Sequence, residues 1–313
     1  ASYNYSPEEE LIDECDELYR KATRRILQVT SNPILLLSGG IDSRILLGNL
    51  LAEGKDEIAL ATYSAPETNG DETNTAVAIA NLLNLPIQQY QLYMSDFIAT
   101  SQEAVARSDG RVEVIDAPQL FLIWEQLSKQ FDTVFKGDEC FGWHASVEST
   151  DAALNRNFLF RLSQMSRLQD WVHPEKLDLI KKEIDTTLTN LGNRSKETNL
   201  LDTKDKIYFE QRIGNYVNPF TGILLRNFEQ ARPLIDEDVV DFIKTLPLNF
   251  RDNKLFLQHL LERRYPKLTK IPIAKTYSMP QAPNYIKLFS QSIDTREFIK
   301  NQLIHLDSRL AEL

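Results

Sequence analysis

Ser38-Gly39-Gly40-Ile41-Asp42-Ser43 gathers two glycines, two hydroxyls and a carboxylate into six residues. Glycines let a main chain approach an anion closely and take up unusual dihedrals. The Ser38 and Ser43 hydroxyls add donors for phosphate oxygens. Asp42 would repel a bare phosphate, so its presence implies a bridging cation, and Mg2+ favours carboxylate and phosphate oxygens together. Neither the GxxxxGK[ST] loop of γ-phosphate transfer nor the GxGxxG dinucleotide fingerprint is present here. The chemistry suggested is a metal-bound phosphate held at a helix N-terminus.

Such a loop needs a strand before it and a helix after it. The apolar run 34–37 ends at Leu37 and reads as a buried strand, and a helical pattern follows over 43–52. Alternation continues: a strand over 58–63, a helix from the polar turn 67–70 to 84, a strand over 87–92, a helix capped by Ser95, a helix over 118–129 and a short strand over 133–135. Ahead of them, Ser6-Pro7-Glu8-Glu9 reads as a capping box with proline at the first helical position, and Leu11, Cys15, Leu18, Ala22, Ile26 and Val29 recur at helical spacing. Strands separated by helices predict an α/β fold, a doubly wound parallel sheet covered on both faces. Beyond 149 the strand signals fade, and 154–169, 175–191 and 236–246 read as helices, divided by the polar stretch 192–198. The expected organisation is a nucleotide-binding α/β unit with its leading helix over 1–150 and a mainly helical part over 151–313, packed as one domain.

The formal charge of -10 disfavours a broad grip on nucleic acid. Two cysteines without CxxC spacing give neither a disulfide framework nor a cysteine zinc site. His144, His173, His259 and His305 lack metal-ligand spacing. No stretch reads as a secretion signal or bilayer span, so a cytoplasmic protein is expected.

SGGIDS resembles the PP-loop of the ATP pyrophosphatase superfamily, whose members cleave ATP between its α and β phosphates. Three further stretches resemble the synthetase domain of asparagine synthetases and their β-lactam-forming relatives. Gly137-Asp138-Glu139-Cys140-Phe141-Gly142 is similar to that family's G-A-D-E-L-F-G loop. Ala231-Arg232-Pro233-Leu234-Ile235-Asp236 is similar to its R-V-P-F-L-D segment. Lys254 and Lys275 flank a Tyr265-Pro266 break at close to the spacing of two family lysines that hold pyrophosphate. The resemblance covers about residues 10–285.

It implies an ATP- and Mg2+-dependent, AMP-forming ligase that adenylates a small-molecule or peptide carboxylate and passes it to an amine or ammonia. Leu37, Ser38, Gly39, Gly40, Ile41, Asp42, Ser43 and Gly137 would hold the nucleotide, with Thr62 and Tyr63 where the family's adenine lies. Asp42 and Asp138 would share the metal, and Lys275, helped by Lys254, would balance the charge of departing pyrophosphate. Two other readings stay open: a PP-loop enzyme that modifies tRNA, and a nucleotide-binding regulatory protein without turnover.

Departures from the family pattern bear on the acceptor. Phe135 stands where the family has a glutamate or tyrosine that handles the nucleophile's proton, Lys136 replaces a glycine, and Arg44 follows the loop where a small hydroxyl residue is common. Cys140 stands in for a leucine. No glutaminase domain is expected ahead of the loop, so the expectation is that ammonia or an amine arrives from elsewhere, that a separate glutaminase chain supplies it, or that the reaction is intramolecular. Arg212, Tyr216 and Arg226 could meet an anionic or aromatic acceptor, or belong to a packing helix.

Overall fold

A computed structural model describes residues 3–64, 71–91, 102–103, 105–107, 120–138, 149–157, 172–194, 199–225 and 227–274. The chain divides into two units, Ala1–Phe160 with Leu188–Lys275, and Arg161–Thr187 with Thr276–Leu313. The sheet and the loops discussed below lie in the first. Of the second, the described part is the beginning of one helix.

Strands β1 (Pro33–Leu36), β2 (Ala59–Ser64), β3 (Ile87–Gln91), β4 (Thr133–Phe135) and β5 (Glu229–Ala231) form one sheet in the order β3-β2-β1-β4-β5. All four pairings are parallel. Leu35 pairs with Leu60 on one side and Phe135 on the other, and Phe135 with Ala231. The helices are α1 (Glu8–Leu27), α2 (Ile41–Ala52), α3 (Asp71–Leu83), α4 (Leu120–Leu127), α5 (Thr150–Asn157), α6 (Pro174–Arg194), α7 (Leu200–Ile207), α8 (Asn218–Leu224), α9 (Glu237–Thr245), α10 (Leu248–Arg251) and α11 (Leu255–Arg264).

Successive strand residues face opposite ways. Leu35, Leu37, Leu60, Phe135 and Ala231 turn to a core completed by α1, α2, α3, α9 and α11. Ile34, Ala61 and Val134 turn to a smaller core built on Ile123, Trp124 and Leu127 of α4. Both faces are covered, as a doubly wound parallel sheet requires. α2 is buried from Ser43 to Leu50, including Arg44 and Asn49, because the sheet, α1 and α11 enclose it.

The structure differs from the sequence reading at four places. Ser6 does not cap α1: Pro7 is the N-cap residue and contributes no side-chain bond, while Ser6 donates its N–H to Asn4 Oδ1 at 3.0 Å. Glu8, Glu9 and Glu10 then meet the positive end of the helix. β5 went unread, because Glu-Gln-Ala carries no alternation and is made a strand by its partner β4. The stretch Tyr208–Val217 winds as a π-helix before α8. α6 also continues through Gly192 to Arg194, so the helix covers the start of the expected divider. Of the helix expected after Ser95, residues 102–103 and 105–107 are described and are helical, while Ser95 itself and the expected stretch 158–169 lie outside the described residues.

Candidate functional site

From β1 the chain builds β2 and β3 on one side of the sheet, then crosses to build β4 and β5 on the other. Ligands of open parallel sheets bind beyond the strand carboxyl ends at such a reversal. The loops leaving β1 and β4 meet there.

The loop after β1 closes on itself through its two hydroxyls. Ser43 Oγ donates to the carbonyl of Ser38 (3.2 Å) and receives the Ser38 N–H (3.2 Å), and the two hydroxyl oxygens lie 3.1 Å apart. Ser38 Oγ also accepts the Gly40 N–H at 3.2 Å. Leu37, just past the strand, stays tied to the sheet by donating to Ala61 O at 2.8 Å. Ile41 opens α2, so the first-turn N–H groups lack intrahelical acceptors and face the loop mouth. Neither Gly39 nor Gly40 has a positive φ, contrary to the expected unusual dihedrals. Gly39 is needed for room, since a Cβ there would come within 2.4 Å of Ala274 Cβ and 3.1 Å of Thr75 Cβ.

The loop after β4 presses against the start of α2. A Cβ on Gly137 would lie 2.8 Å from the Ser43 nitrogen and 3.1 Å from the Asp42 carbonyl carbon. This backbone approach brings Asp138 beside Asp42, close enough that its charge helps raise the Asp42 pKa. Burial is the larger cause of that rise, and Lys254 works against it. Asp42 Oδ1 and Asp138 Oδ2 are buried and accept no hydrogen bond. Lys136 Nζ stands 3.4 Å and Arg232 Nη1 3.8 Å from Asp138 Oδ2. Burial lowers the Arg232 pKa and Asp138 raises it.

Lys254 reaches the loop from far along the chain and donates to Asp42 Oδ2 at 2.7 Å. Its backbone is left-handed (φ 56°), as is that of Asn253 (φ 53°), a conformation costly for residues with a Cβ. The turn is anchored just upstream, where buried Arg251 donates from Nη1 to Asp205 Oδ2 at 3.1 Å and from Nη2 to Asp202 Oδ1.

The loop residues 37–43, Gly137, Asp138 and Lys254 are therefore brought together. Thr62 and Tyr63 lie near the carboxyl end of β2, the strand beside β1; Thr62 is buried, and the Tyr63 carbonyl accepts from Thr73 Oγ1 at 3.1 Å. Lys275, Glu139, Cys140 and the side chains of Tyr216 and Arg226 lie outside the described residues. Phe135 is fully buried in the core shared with α1 and α2, so in this register the position faces away from the crevice. Sequence reasoning missed Arg232 and Lys136 as site residues. Arg232 could have been found from the Arg-Pro pair of its segment, whereas Lys136 stands out in the sequence only as the replacement of a glycine in the Asp138 loop.

Two carboxylate oxygens without hydrogen bonds suit a hard divalent cation, and no cluster of three or more metal-ligating side chains occurs among the described residues. That set fits Mg2+, which is usually held by one or two carboxylates and completed by substrate phosphates and water.

A family model described as asparagine synthase matches residues 14–270. Among solved structures, an NH3-dependent NAD synthetase from Campylobacter jejuni aligns at 12% identity over 67% of this chain and 95% of its own, with a TM-score of 0.33. An NMN synthetase from Francisella tularensis aligns at 11% identity over 88% and 99%, with a TM-score of 0.33. No curated protein matches the sequence. No helix among the described residues is long and apolar enough to cross a membrane.

Proposed function

The chain belongs to the asparagine synthase family, a family of ATP-using synthetases with a PP-loop, and from that premise we propose that it is an AMP-forming carbon–nitrogen ligase. The carboxylate of a small molecule or peptide attacks the α-phosphorus of ATP and pyrophosphate leaves. An amine or ammonia then attacks the activated carbonyl and AMP leaves, giving an amide. The observation that carries this reading is the meeting of two buried, unsatisfied carboxylate oxygens, Asp42 Oδ1 and Asp138 Oδ2, beside a glycine loop.

Each residue has a physical task in it. The first-turn N–H groups of α2 and the loop main chain would cradle phosphate oxygens. Asp42 and Asp138 would hold Mg2+, which would neutralise phosphate charge during pyrophosphate departure. Lys254, which donates to Asp42 Oδ2 in the free protein, would turn to a phosphate oxygen of the bound nucleotide. Lys275 would act with it on the leaving pyrophosphate, and Arg232 and Lys136 add positive charge on the β4 side. Thr62 and Tyr63 would border the adenine. With Phe135 in the core, the proton of the attacking amine must pass to another group or to water.

Incubation with ATP, Mg2+, ammonium and a panel of carboxylic acids should release pyrophosphate and AMP in equal amounts. Asp42→Ala should lower that release by about 1,000-fold. ADP and phosphate as products would overturn the proposal, as would nucleotide binding with no pyrophosphate from any acid.

A further inference from the structure

Arg44 directly follows the glycine loop, and its side chain is completely buried (0% exposed). Its Nη1 donates to the carbonyls of Leu268 (2.9 Å) and Ile271, and its Nη2 to those of Pro272 (2.7 Å) and Gly39 (3.0 Å). All four acceptors are neutral main-chain oxygens. Burying a charge without a counter-charge is unfavourable, so a hydrophobic residue would serve packing better than this one.

The four bonds do something packing alone would not. They draw residues 268–272 onto α2 and link them to the loop through one shared acceptor. Gly39 O takes both the Arg44 guanidinium and the N–H of Ala274, at 3.0 and 3.2 Å. Gly39 is bare of a side chain where Ala274 Cβ sits. One helical turn further along α2, the Tyr265 ring lies where a Cβ on Gly48 would be, 2.5 Å away. The Tyr265 hydroxyl is within 2.6 Å of both Asp16 Oδ1 and Asn49 Oδ1. Arg44 and Gly48, four residues apart on one helix face, thus form the bed on which residues 265–274 are laid.

We infer that Arg44 is a positioning residue: it staples residues 268–274 across the glycine loop, seating Ala274 on Gly39 and delivering the chain there immediately before Lys275. The inference rests on the function proposed above, because the part of Lys275 in pyrophosphate departure gives the staple its consequence. Only a planar guanidinium spreads its donors over four separated carbonyls, and lysine offers three from a single point.

The test uses the full chain with Arg44→Lys and, separately, Ala274→Pro, which deletes the N–H given to Gly39 and leaves Arg44 intact. Arg44→Lys should speed deuterium exchange in residues 266–274 by at least about tenfold while residues 45–52 keep their protection. ATP–pyrophosphate exchange should fall about 100-fold in both variants, with affinity for α,β-methylene-ATP held within about threefold. Unchanged deuterium exchange in Arg44→Lys, an equal loss of nucleotide affinity, or full activity in Ala274→Pro would overturn the inference. Should Arg44→Lys fail to fold, Ala274→Pro decides it. If the wild-type protein yields no pyrophosphate with any acid, the proposed function fails instead, and deuterium exchange alone then decides whether Arg44 holds the segment.

Discussion

Strand β4 has an aspartate at each end, and the two are treated in opposite ways. Asp132, before the strand, accepts from Thr30 Oγ1 at 2.7 Å and from the N–H groups of Ser31 at 2.8 Å and Asn32 at 3.0 Å. Burial works to raise its pKa, but these bonds outweigh it and the pKa is lowered. Asp138, after the strand, keeps Oδ2 buried without a hydrogen bond, its cationic neighbours standing at 3.4 and 3.8 Å. A carboxylate whose lone pairs are filled by its own protein serves the fold. Asp138, whose Oδ2 is left open at a cost in stability, is the one the proposed function gives to a metal ion.

The contrast breaks most readily under paired substitution. Asp138→Asn should reduce pyrophosphate formation about 1,000-fold, because the charge of a proposed metal ligand is lost, and leave thermal stability level or slightly raised. Asp132→Asn should keep pyrophosphate formation within about twofold and cost about 1 kcal/mol of stability, seen in urea unfolding. Equal effects of the two on either measurement would dissolve the distinction. Gly137→Ala comes next. Its new Cβ would meet main chain, 2.8 Å from the Ser43 nitrogen, and main chain there yields poorly. The expected loss is about 1–3 kcal/mol of stability, and with Asp138 displaced from Asp42 pyrophosphate formation should drop about 100-fold. A stability loss without a matching drop in rate would show that the close approach serves packing alone.

The same contrast explains what could be read before the fold was known. Strands β1, β2 and β4 were legible because buried parallel strands are continuous apolar runs, and residues 133–135 were placed to the residue. The loop was legible because glycines, hydroxyls and a carboxylate stand together in sequence. β5 was invisible, since Glu229–Ala231 becomes a strand only through its long-range pairing to β4. Arg232 holds charge near Asp138 because β5 pairs with β4, and register is not local information, whereas Lys136 stands only two residues before Asp138. Arg44 stood out as a departure, yet nothing beside it in sequence names carbonyls at 268, 271 and 272 as its partners. Phe135 shows the converse: its position in the motif suggested chemistry, and the pleat turned it into the core.

Lys254 sharpens the comparison from the cationic side. Unlike Asp132, it is held to its partner by a strained turn, with Asn253 and Lys254 both left-handed. Such a conformation persists where neighbours impose it, here Arg251 with Asp202 and Asp205. Lys254→Gln should raise the KM for ATP about tenfold, one charged contact to phosphate being lost. Asp42 also loses its 2.7 Å partner in the free protein, so Mg2+ should raise the melting temperature of the variant more than that of the wild type. An unchanged KM would make the Asp42–Lys254 pair a structural ion pair and nothing more.

The smallest effect is the pH dependence of Asp132, and it bears most directly on what a satisfied carboxylate contributes. Its folded pKa is lowered from an unfolded value of about 3.9. A group shifted down binds fewer protons folded than unfolded in that range, so its stabilisation is complete above about pH 4 and fades as pH falls through the folded value. Asp132→Asn, which cannot ionise, should therefore melt below the wild type by a constant margin from about pH 5 to 7, and the margin should close toward pH 3. Because the carboxylate is exposed, salt should narrow the margin at neutral pH. A margin that persists unchanged into acid would mean that the three bonds act through geometry and not charge, and Asp132 would then lose its standing as the ionised counterpart of Asp138.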